Sequence, residues 1–419
     1  MAELHALQVD RAHTGVALER TWARGAAALV LPESAPDVQV RALLERLRPS
    51  RLVHLEEGGG VAGTALADGA PIGDEIALVV ATSGSTGAAK GVELSHAALR
   101  ASVTASLTRL GARPGERWGL ALPTHHVAGI SVLLRAAALG TTAVVAADTA
   151  AVGDLDVEHV ALVPAQLERL LAQGAAVERF TTILLGGAPA SDPLLDRARQ
   201  AGAHVVTSYG MTETVGGCVY DGRPLDDVEV VVDADSARIR IRGPVLLEGY
   251  RSATGTPVDA EGYRSLTGTP VDAEGYRSLT GTPVDAEGWF TTPDLGRLDA
   301  EGRLEVLGRA DDVLISGGEN VPLAAVTALL RSHPAVADVT VAAVADGRWG
   351  QIPAAVVVPA AAQRPPRLSD LQAHVRAHAP VAYAPGHLLL VERLPRDGLG
   401  KLPAAEVSAL LVAEGLTPT

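Results

Sequence analysis

The sequence predicts an α/β protein, with a large N-terminal domain of βαβ layers over residues 1–310 and a smaller α+β C-terminal domain over residues 311–419. Two observations carry this expectation. From Ile76 to about Thr207 short apolar β-like runs alternate with helical ones, the pattern of βαβ units packed around a parallel sheet. From Val228 the texture changes to paired strand-like runs and turn-rich sequence, and beyond Gly308 a separate mixed segment follows.

Taken in order, Ile76–Ala81, Trp118–Leu122, Thr142–Ala147, Thr182–Leu185 and His204–Thr207 read as buried strands. Between them Ser95–Leu110, Gly129–Leu139, Pro164–Gln173 and Asp192–Ala201 read as helices. Ser95 and Asp192 are suited to the N-cap, with Pro193 at the first helical position. Val228–Val232 and Ala237–Arg242 read as a strand pair. The C-terminal domain then offers strands at Val313–Ile315, Val339–Val344 and Ala354–Val358, and helices at Pro322–Arg331 and Ser369–Ala379. Between the domains Tyr250–Gly262, Tyr263–Gly275 and Tyr276–Gly288 are three copies of one 13-residue unit, differing only where Ala253 answers to Leu266 and Leu279. Each copy carries the turn signals Thr-Gly-Thr-Pro and Asp-Ala-Glu-Gly, so residues 250–288 read as a duplicated surface loop with ambiguous strand register.

Composition narrows the class of function. A formal charge of −14 argues against nucleic acid or an anionic membrane as the main partner. The single cysteine, Cys218, excludes an intrachain disulfide and a multi-cysteine metal site. Met1–Ala27 lacks the basic-then-apolar order of a signal peptide, and apolar runs such as Ala136–Ala147 are interrupted and too short to cross a bilayer. No stable membrane insertion is expected, and a cytoplasmic protein is.

The most informative stretch is Thr82-Ser83-Gly84-Ser85-Thr86-Gly87-Ala88-Ala89-Lys90-Gly91. Glycines let backbone amides approach a polyanion, hydroxyls add donors and the lysine adds charge, so the loop suits phosphate. It departs from the nucleotide P-loop, in which a hydroxyl residue follows the lysine and serves magnesium. By itself the loop is equally consistent with a polar surface turn.

Six further segments decide between these readings: Pro123–Gly129 with His126, Leu184–Pro189, Ser208–Thr214, Gly288–Gly296, Gly308–Asp312 with Ser316–Asn320, and Gly398–Lys401. In this order and spacing the chain resembles the ANL superfamily of adenylate-forming enzymes, which includes acyl- and aryl-CoA ligases and nonribosomal adenylation domains. The resemblance implies the ANL adenylating fold with a mobile C-terminal domain. It implies ATP and CoA as co-substrates, Mg²⁺ as cofactor, a small-molecule carboxylic acid as the remaining partner, and it leaves a homodimer open.

On this resemblance Thr82, Ser83, Gly84, Ser85, Thr86, Gly87 and Lys90 hold the β- and γ-phosphates. Tyr209 stacks on adenine, with Gly187, Ala188 and Pro189 on the other side of the ring, and Gly210 and Met211 complete that wall. Thr212 contacts the α-phosphate and Glu213 ligates Mg²⁺, which prefers carboxylate and phosphate oxygens. Asp294 accepts from the ribose diol and Arg309 adds a second ribose or phosphate contact. Lys401 reaches the carboxylate and α-phosphate during adenylation, after which the small domain turns about a hinge at Asp311.

His126 resembles the gate of the acyl pocket, and Arg135 follows on the same helical segment inside an apolar stretch. An arginine there either snorkels to solvent or recognises a second carboxylate on the acid. The Ser316–Asn320 run and the Leu-Leu-Gly-Gly-Ala-Pro strand end resemble o-succinylbenzoate–CoA ligases of menaquinone biosynthesis, whose substrate is an aryl dicarboxylate. The open alternatives are another acyl- or aryl-CoA ligase, a stand-alone adenylation domain, and a degraded homologue without catalysis. Departures from the superfamily pattern are Ala89 for proline, Pro293 for the glycine before Asp294, and Ala325 and Thr327 where glutamates are usual.

Overall fold

The structure, a computed structural model, describes residues 1–33, 35–55, 61–83, 89–251, 283–310, 313–317, 319–396, 402 and 404–419. These form two compact units, one of residues 1–230, 241–251 and 283–290, the other of residues 231–240 and 291–419. The division falls at Phe290/Thr291, upstream of the 310/311 boundary read from the sequence.

The first unit contains two seven-stranded sheets. One runs in the order Gly249–Arg251, Ala89–Ser95, Ile76–Ser83, Ala27–Val30, Leu4–Gln8, Arg51–Leu55, Val61–Ala65. Its centre is parallel, with Leu4 opposite Ala27 and Ala28 opposite Leu78, and its flanks are antiparallel hairpins. All of Ala27–Val30 is buried, as expected of a parallel strand covered on both faces. The sheet is therefore mixed rather than parallel throughout. The strand Ala89–Ser95, absent from the sequence reading, intervenes between the phosphate loop and the following helix.

The second sheet is ordered Arg223–Pro224, Gly216–Tyr220, Val205–Met211, Thr182–Leu185, His159–Leu162, Trp118–Leu120, Val144–Val145. It is parallel from Val205–Met211 onward and antiparallel at Gly216–Tyr220. The expected strand at Thr142–Ala147 shrinks to Val144–Val145, the turn after the helix being made by Leu139 and Gly140. His204–Thr207 instead lengthens into Val205–Met211, because Gly216–Tyr220 folds back to pair with it.

Helix ends follow local chemistry. Ser95 caps His96–Leu110 by accepting from the Ala98 amide at 3.1 Å, and Gly111 closes that helix with φ +63°. In the helix Asp192–Gln200 the N-cap position falls on Ser191, whose side chain makes no capping hydrogen bond, so Asp192 occupies the first helical position, one residue on from its expected place. There its carboxylate still complements the positive end of the helix dipole.

The second unit holds a sheet ordered Glu319–Pro322, Val313–Ser316, Gly350–Pro359, Val336–Asp346, with His387–Leu390 pairing parallel to Gly350–Pro359. Helices Leu323–Arg331 and Leu368–Arg376 bury Val326, Leu330, Leu371 and Val375 in a core shared with Val339, Val341 and Val357. The strands Glu229–Val232, Arg238–Arg242, Phe290–Leu298 and Leu304–Arg309 form a four-stranded sheet in that order. Among the described residues no helix is long and apolar enough to cross a membrane. Apart from Tyr250, Arg251 and residues 283–288, the triple repeat lies outside the described residues.

Cys218 sits fully buried in Gly216–Tyr220, and burial pushes its thiol pKa up to about 12. Since the thiolate is the reactive form, native protein at pH 8 should react with a thiol reagent at least about 100-fold more slowly than urea-unfolded protein. Stopped-flow labelling measures the ratio, and a native rate equal to the unfolded one would refute the burial.

Candidate active site

The phosphate loop joins two strands of a hairpin, Ile76–Ser83 and Ala89–Ser95, in which Thr82 pairs with Lys90. Gly84, Ser85, Thr86 and Gly87 lie outside the described residues, and the backbone of Ser83 ends the first strand. Gly91 is required by packing, because a Cβ there would stand 2.7 Å from Val79 and 2.9 Å from Leu47. On the far side of Ala89–Ser95 runs Gly249–Arg251, with Tyr250 opposite Val92 and Arg251 opposite Gly91. This placement brings Lys90 Nζ 3.8 Å from the centre of the Tyr250 ring and 3.4 Å from Glu213 Oε1. The Tyr250 hydroxyl donates to the same Oε1 at 2.9 Å. Two expected ligand-binding residues, one for phosphate and one for metal, thus meet at one partly buried point.

Arg251 secures the strand that carries Tyr250. Its guanidinium donates to the carbonyls of Leu47 and Ala70, each at 2.6 Å, and pairs with Glu93 at 3.6 Å. Burial pushes the Glu93 carboxyl above its ordinary value, against the pull of Arg251. Tyr250 and Arg251 open the first copy of the repeat, whose turn signals point to a loop, and the pairing with Ala89–Ser95 makes them a strand instead.

The Ser208–Thr214 motif lies on the strand Val205–Met211 and the 3₁₀ turn Thr212–Thr214. A register shift at Tyr209/Gly210 bends the strand, and Gly216–Tyr220 returns against it. The approach at the bend is so close that a Cβ on Gly210 would lie 1.9 Å from the Gly216 carbonyl oxygen. Thr214 locks the turn, its hydroxyl lying 3.0 Å from the Met211 amide and 2.7 Å from the Gly216 carbonyl. The next residue, Val215, takes φ +55°, a region unfavourable for a β-branched side chain. Strained backbone therefore adjoins Thr212 and Glu213. Gly187, Ala188 and Pro189 follow the strand Thr182–Leu185 as an exposed turn, with Gly187 at φ +79°.

His126 is the N-cap residue of the helix Val127–Ala138 and packs its ring 4.1 Å from that of His125. Gly129 lets this helix start against the preceding turn, since a Cβ would meet the Pro123 carbonyl oxygen at 2.2 Å. Arg135 lies further along the same helix, about 13 Å from His126 along the axis at 1.5 Å per residue. It does not snorkel: only 3% of it is exposed. Its Nε donates to Ser106 Oγ at 2.9 Å, Nη2 donates to the Tyr220 hydroxyl at 3.3 Å, and the Trp118 ring lies 5.2 Å away. Among the described residues no carboxylate is within ion-pairing distance of it.

In the second unit Asp294 and Arg309 face one another across the antiparallel strands Phe290–Leu298 and Leu304–Arg309. Pro293 is accommodated within the first of these strands. The buried Thr292 hydroxyl accepts from the Asp294 amide at 3.1 Å just beyond it. Lys401 and Asp311 lie outside the described residues.

The AMP-binding enzyme family signature matches residues 9–250, and that of the AMP-binding enzyme C-terminal domain matches residues 325–401. The chain belongs to the AMP-binding enzyme family. Within this family it is 41% identical to a protein of Mycobacterium tuberculosis (strain CDC 1551 / Oshkosh) named "Probable 2-succinylbenzoate–CoA ligase", over 81% of this chain and 86% of that one. It is 31% identical to the 2-succinylbenzoate–CoA ligase of Bacillus subtilis (strain 168), over 78% of this chain and 68% of that one. Among solved AMP-binding structures, the o-succinylbenzoate CoA synthetase of Bacillus subtilis in complex with its acyl-adenylate intermediate matches with a TM-score of 0.77 and 26% identity, covering 97% of this chain and 88% of that one. MatB of Rhodopseudomonas palustris shares the fold at a TM-score of 0.81 and 20% identity, over 98% of this chain and 89% of that one.

Gly210→Ala should be among the costliest single substitutions in this AMP-binding domain. Backbone cannot retreat as a flexible side chain can, so a loss of at least about 2–3 kcal/mol is expected. Urea unfolding checks it, and a midpoint equal to wild type would show that the bend tolerates a Cβ.

Proposed function

We propose that the protein is an AMP-forming acid–thiol ligase that joins o-succinylbenzoate to CoA at the expense of ATP. The observation that carries the substrate assignment is Arg135, a buried guanidinium with hydroxyl partners and no carboxylate among the described residues. Arginine keeps its charge in proteins, and neutral hydroxyls satisfy donors without neutralising it. A dicarboxylic acid has one carboxylate to activate and a second to supply the missing charge. The kinship with enzymes named for 2-succinylbenzoate supports the same acid.

In the first half-reaction a carboxylate oxygen of the acid attacks the α-phosphorus of ATP. The bond to the β-phosphate oxygen breaks and pyrophosphate leaves. In the second, the CoA thiolate attacks the acyl carbonyl and AMP leaves. Positioning and charge stabilisation supply most of such catalysis. Thr82–Gly87 and Lys90 are assigned to the outgoing pyrophosphate, Thr212 to the α-phosphate, Tyr209 to adenine, and Asp294 with Arg309 to the ribose side. His126 is assigned to the mouth of the acyl pocket.

Glu213 suits a magnesium ion, since its side-chain contacts among the described residues fall on Oε1, which leaves Oε2 for a ligand. Mg²⁺ held there with nucleotide phosphate oxygens would supply charge neutralisation on the phosphates. Lys90 would then exchange the Glu213 carboxylate for a phosphate when nucleotide binds. Lys401 is assigned to the reacting carboxylate and α-phosphate, and Asp311 to the hinge between the half-reactions. A single cysteine in 419 residues is consistent with the reducing cytoplasm, where we place the protein.

Arg135→Ala should raise KM for o-succinylbenzoate about 10- to 100-fold, the loss of one charge-assisted contact, while sparing a monocarboxylic analogue such as 4-oxo-4-phenylbutyrate. ATP–pyrophosphate exchange measures both, and an unchanged KM would count against the substrate assignment. Lys401→Ala should abolish acyl-adenylate formation yet retain thioester formation from supplied acyl-adenylate. Equal loss of both half-reactions would remove Lys401 from its assigned role.

A further inference from the structure

The surroundings of Arg135 select one edge of its guanidinium. Ser106 on the helix His96–Leu110 and Tyr220 at the end of the strand Gly216–Tyr220 are both buried, and their hydroxyl oxygens lie 2.7 Å apart. That pair sets one oxygen against Nε and the other against Nη2. Nε and Nη2 share one edge of the planar group, so the hydroxyls grip it as a carboxylate would in side-on pairing. Trp118, fully buried, covers a face at 5.2 Å. Among the described residues no hydrogen-bond partner stands at Nη1, so the edge left for an anion is the end-on one formed by Nη1 and Nη2.

We propose that Ser106 and Tyr220 are positioning residues that hold Arg135 in a single orientation, its end-on edge presented to the second carboxylate of the acid. This rests on the reading of Arg135 given above. Hydroxyls suit the task because they accept from the guanidinium and bring no charge. An aspartate or glutamate in either place would orient the group equally well but neutralise it and close it to an anion. Phenylalanine at 220 would leave Nη2 free to turn, and alanine at 106 would do the same for Nε. The clamp joins a helix, a strand and a second helix, because Arg135 itself comes from Val127–Ala138.

The test is a double-mutant cycle read by ATP–pyrophosphate exchange. Tyr220→Phe and Ser106→Ala should each raise KM for o-succinylbenzoate about 5- to 20-fold, less than the roughly 10- to 150-fold of a whole hydrogen bond to a charged group, because the guanidinium itself remains. KM for ATP and kcat at saturating acid should stay within about twofold of wild type, since neither residue is assigned to nucleotide. Placed on Arg135→Ala, the same substitutions should raise KM no further, because their effect passes through the guanidinium. A merely structural role would disturb KM for ATP and kcat as well, and would persist in the Arg135→Ala background. If Arg135→Ala raises KM while Tyr220→Phe and Ser106→Ala leave it unchanged, the positioning role is overturned and the substrate reading stands. If Arg135→Ala itself changes nothing, both fall.

Discussion

Three segments distant in sequence meet at the Glu213 carboxylate, and much of the first unit is arranged to let them. Lys90 arrives on the second strand of the phosphate-loop hairpin, Glu213 on a 3₁₀ turn, and Tyr250 on a short edge strand. The geometry depends on Ala89–Ser95 being held from both sides. Ile76–Ser83 pairs with one edge and Gly249–Arg251 with the other, while Gly91 lets Leu47 approach its face. A lysine proposed to grip phosphate needs this support, because a long flexible side chain on a loose strand would spend its binding energy on being ordered.

The turn carrying Glu213 is fixed differently, by backbone rather than by side chains. Gly210 and Gly216 touch where the strand doubles back, Thr214 satisfies the exposed amide and carbonyl of the turn, and Val215 accepts an unfavourable φ. Arg135 is held by a third device. The helix beginning at His126 places Arg135 in the interior, where two hydroxyls and an indole face hold it without cancelling its charge. Each functional group is thus immobilised by neighbours that leave its chemistry intact.

Much of this was legible in the sequence because local rules govern it. The Ser95 cap, the parallel strands of the second sheet from Trp118 to Thr207 and the glycines of the motifs follow from capping, periodicity and close backbone approach. Elements were misread where pairing overrides local pattern: Ala89–Ser95 contains Lys, Gly and Glu and becomes a strand because two neighbours hydrogen-bond to it. The helix start expected at Asp192 shifts by one residue for a different reason, since adjacent Ser191 and Asp192 are near-equivalent N-cap residue types. Tyr250 was hidden by repetition. The dipeptide Tyr-Arg occurs at 250, 263 and 276, and its residue types alone do not mark the copy at 250 as a strand.

The sequence alone determined the family, because seven motifs in fixed order depend on residue type and spacing, and both are written in the chain. It also determined that Arg135 sits in an apolar stretch, which raised the choice between a snorkelling cation and a buried one. Only the tertiary structure decided that choice. Ser106 and Tyr220 are separated by 114 positions, and no pattern in either neighbourhood marks them as partners of the arginine. A desolvated charge is a property of everything packed around it, so it becomes visible only when the helix and the returning strand close over the guanidinium.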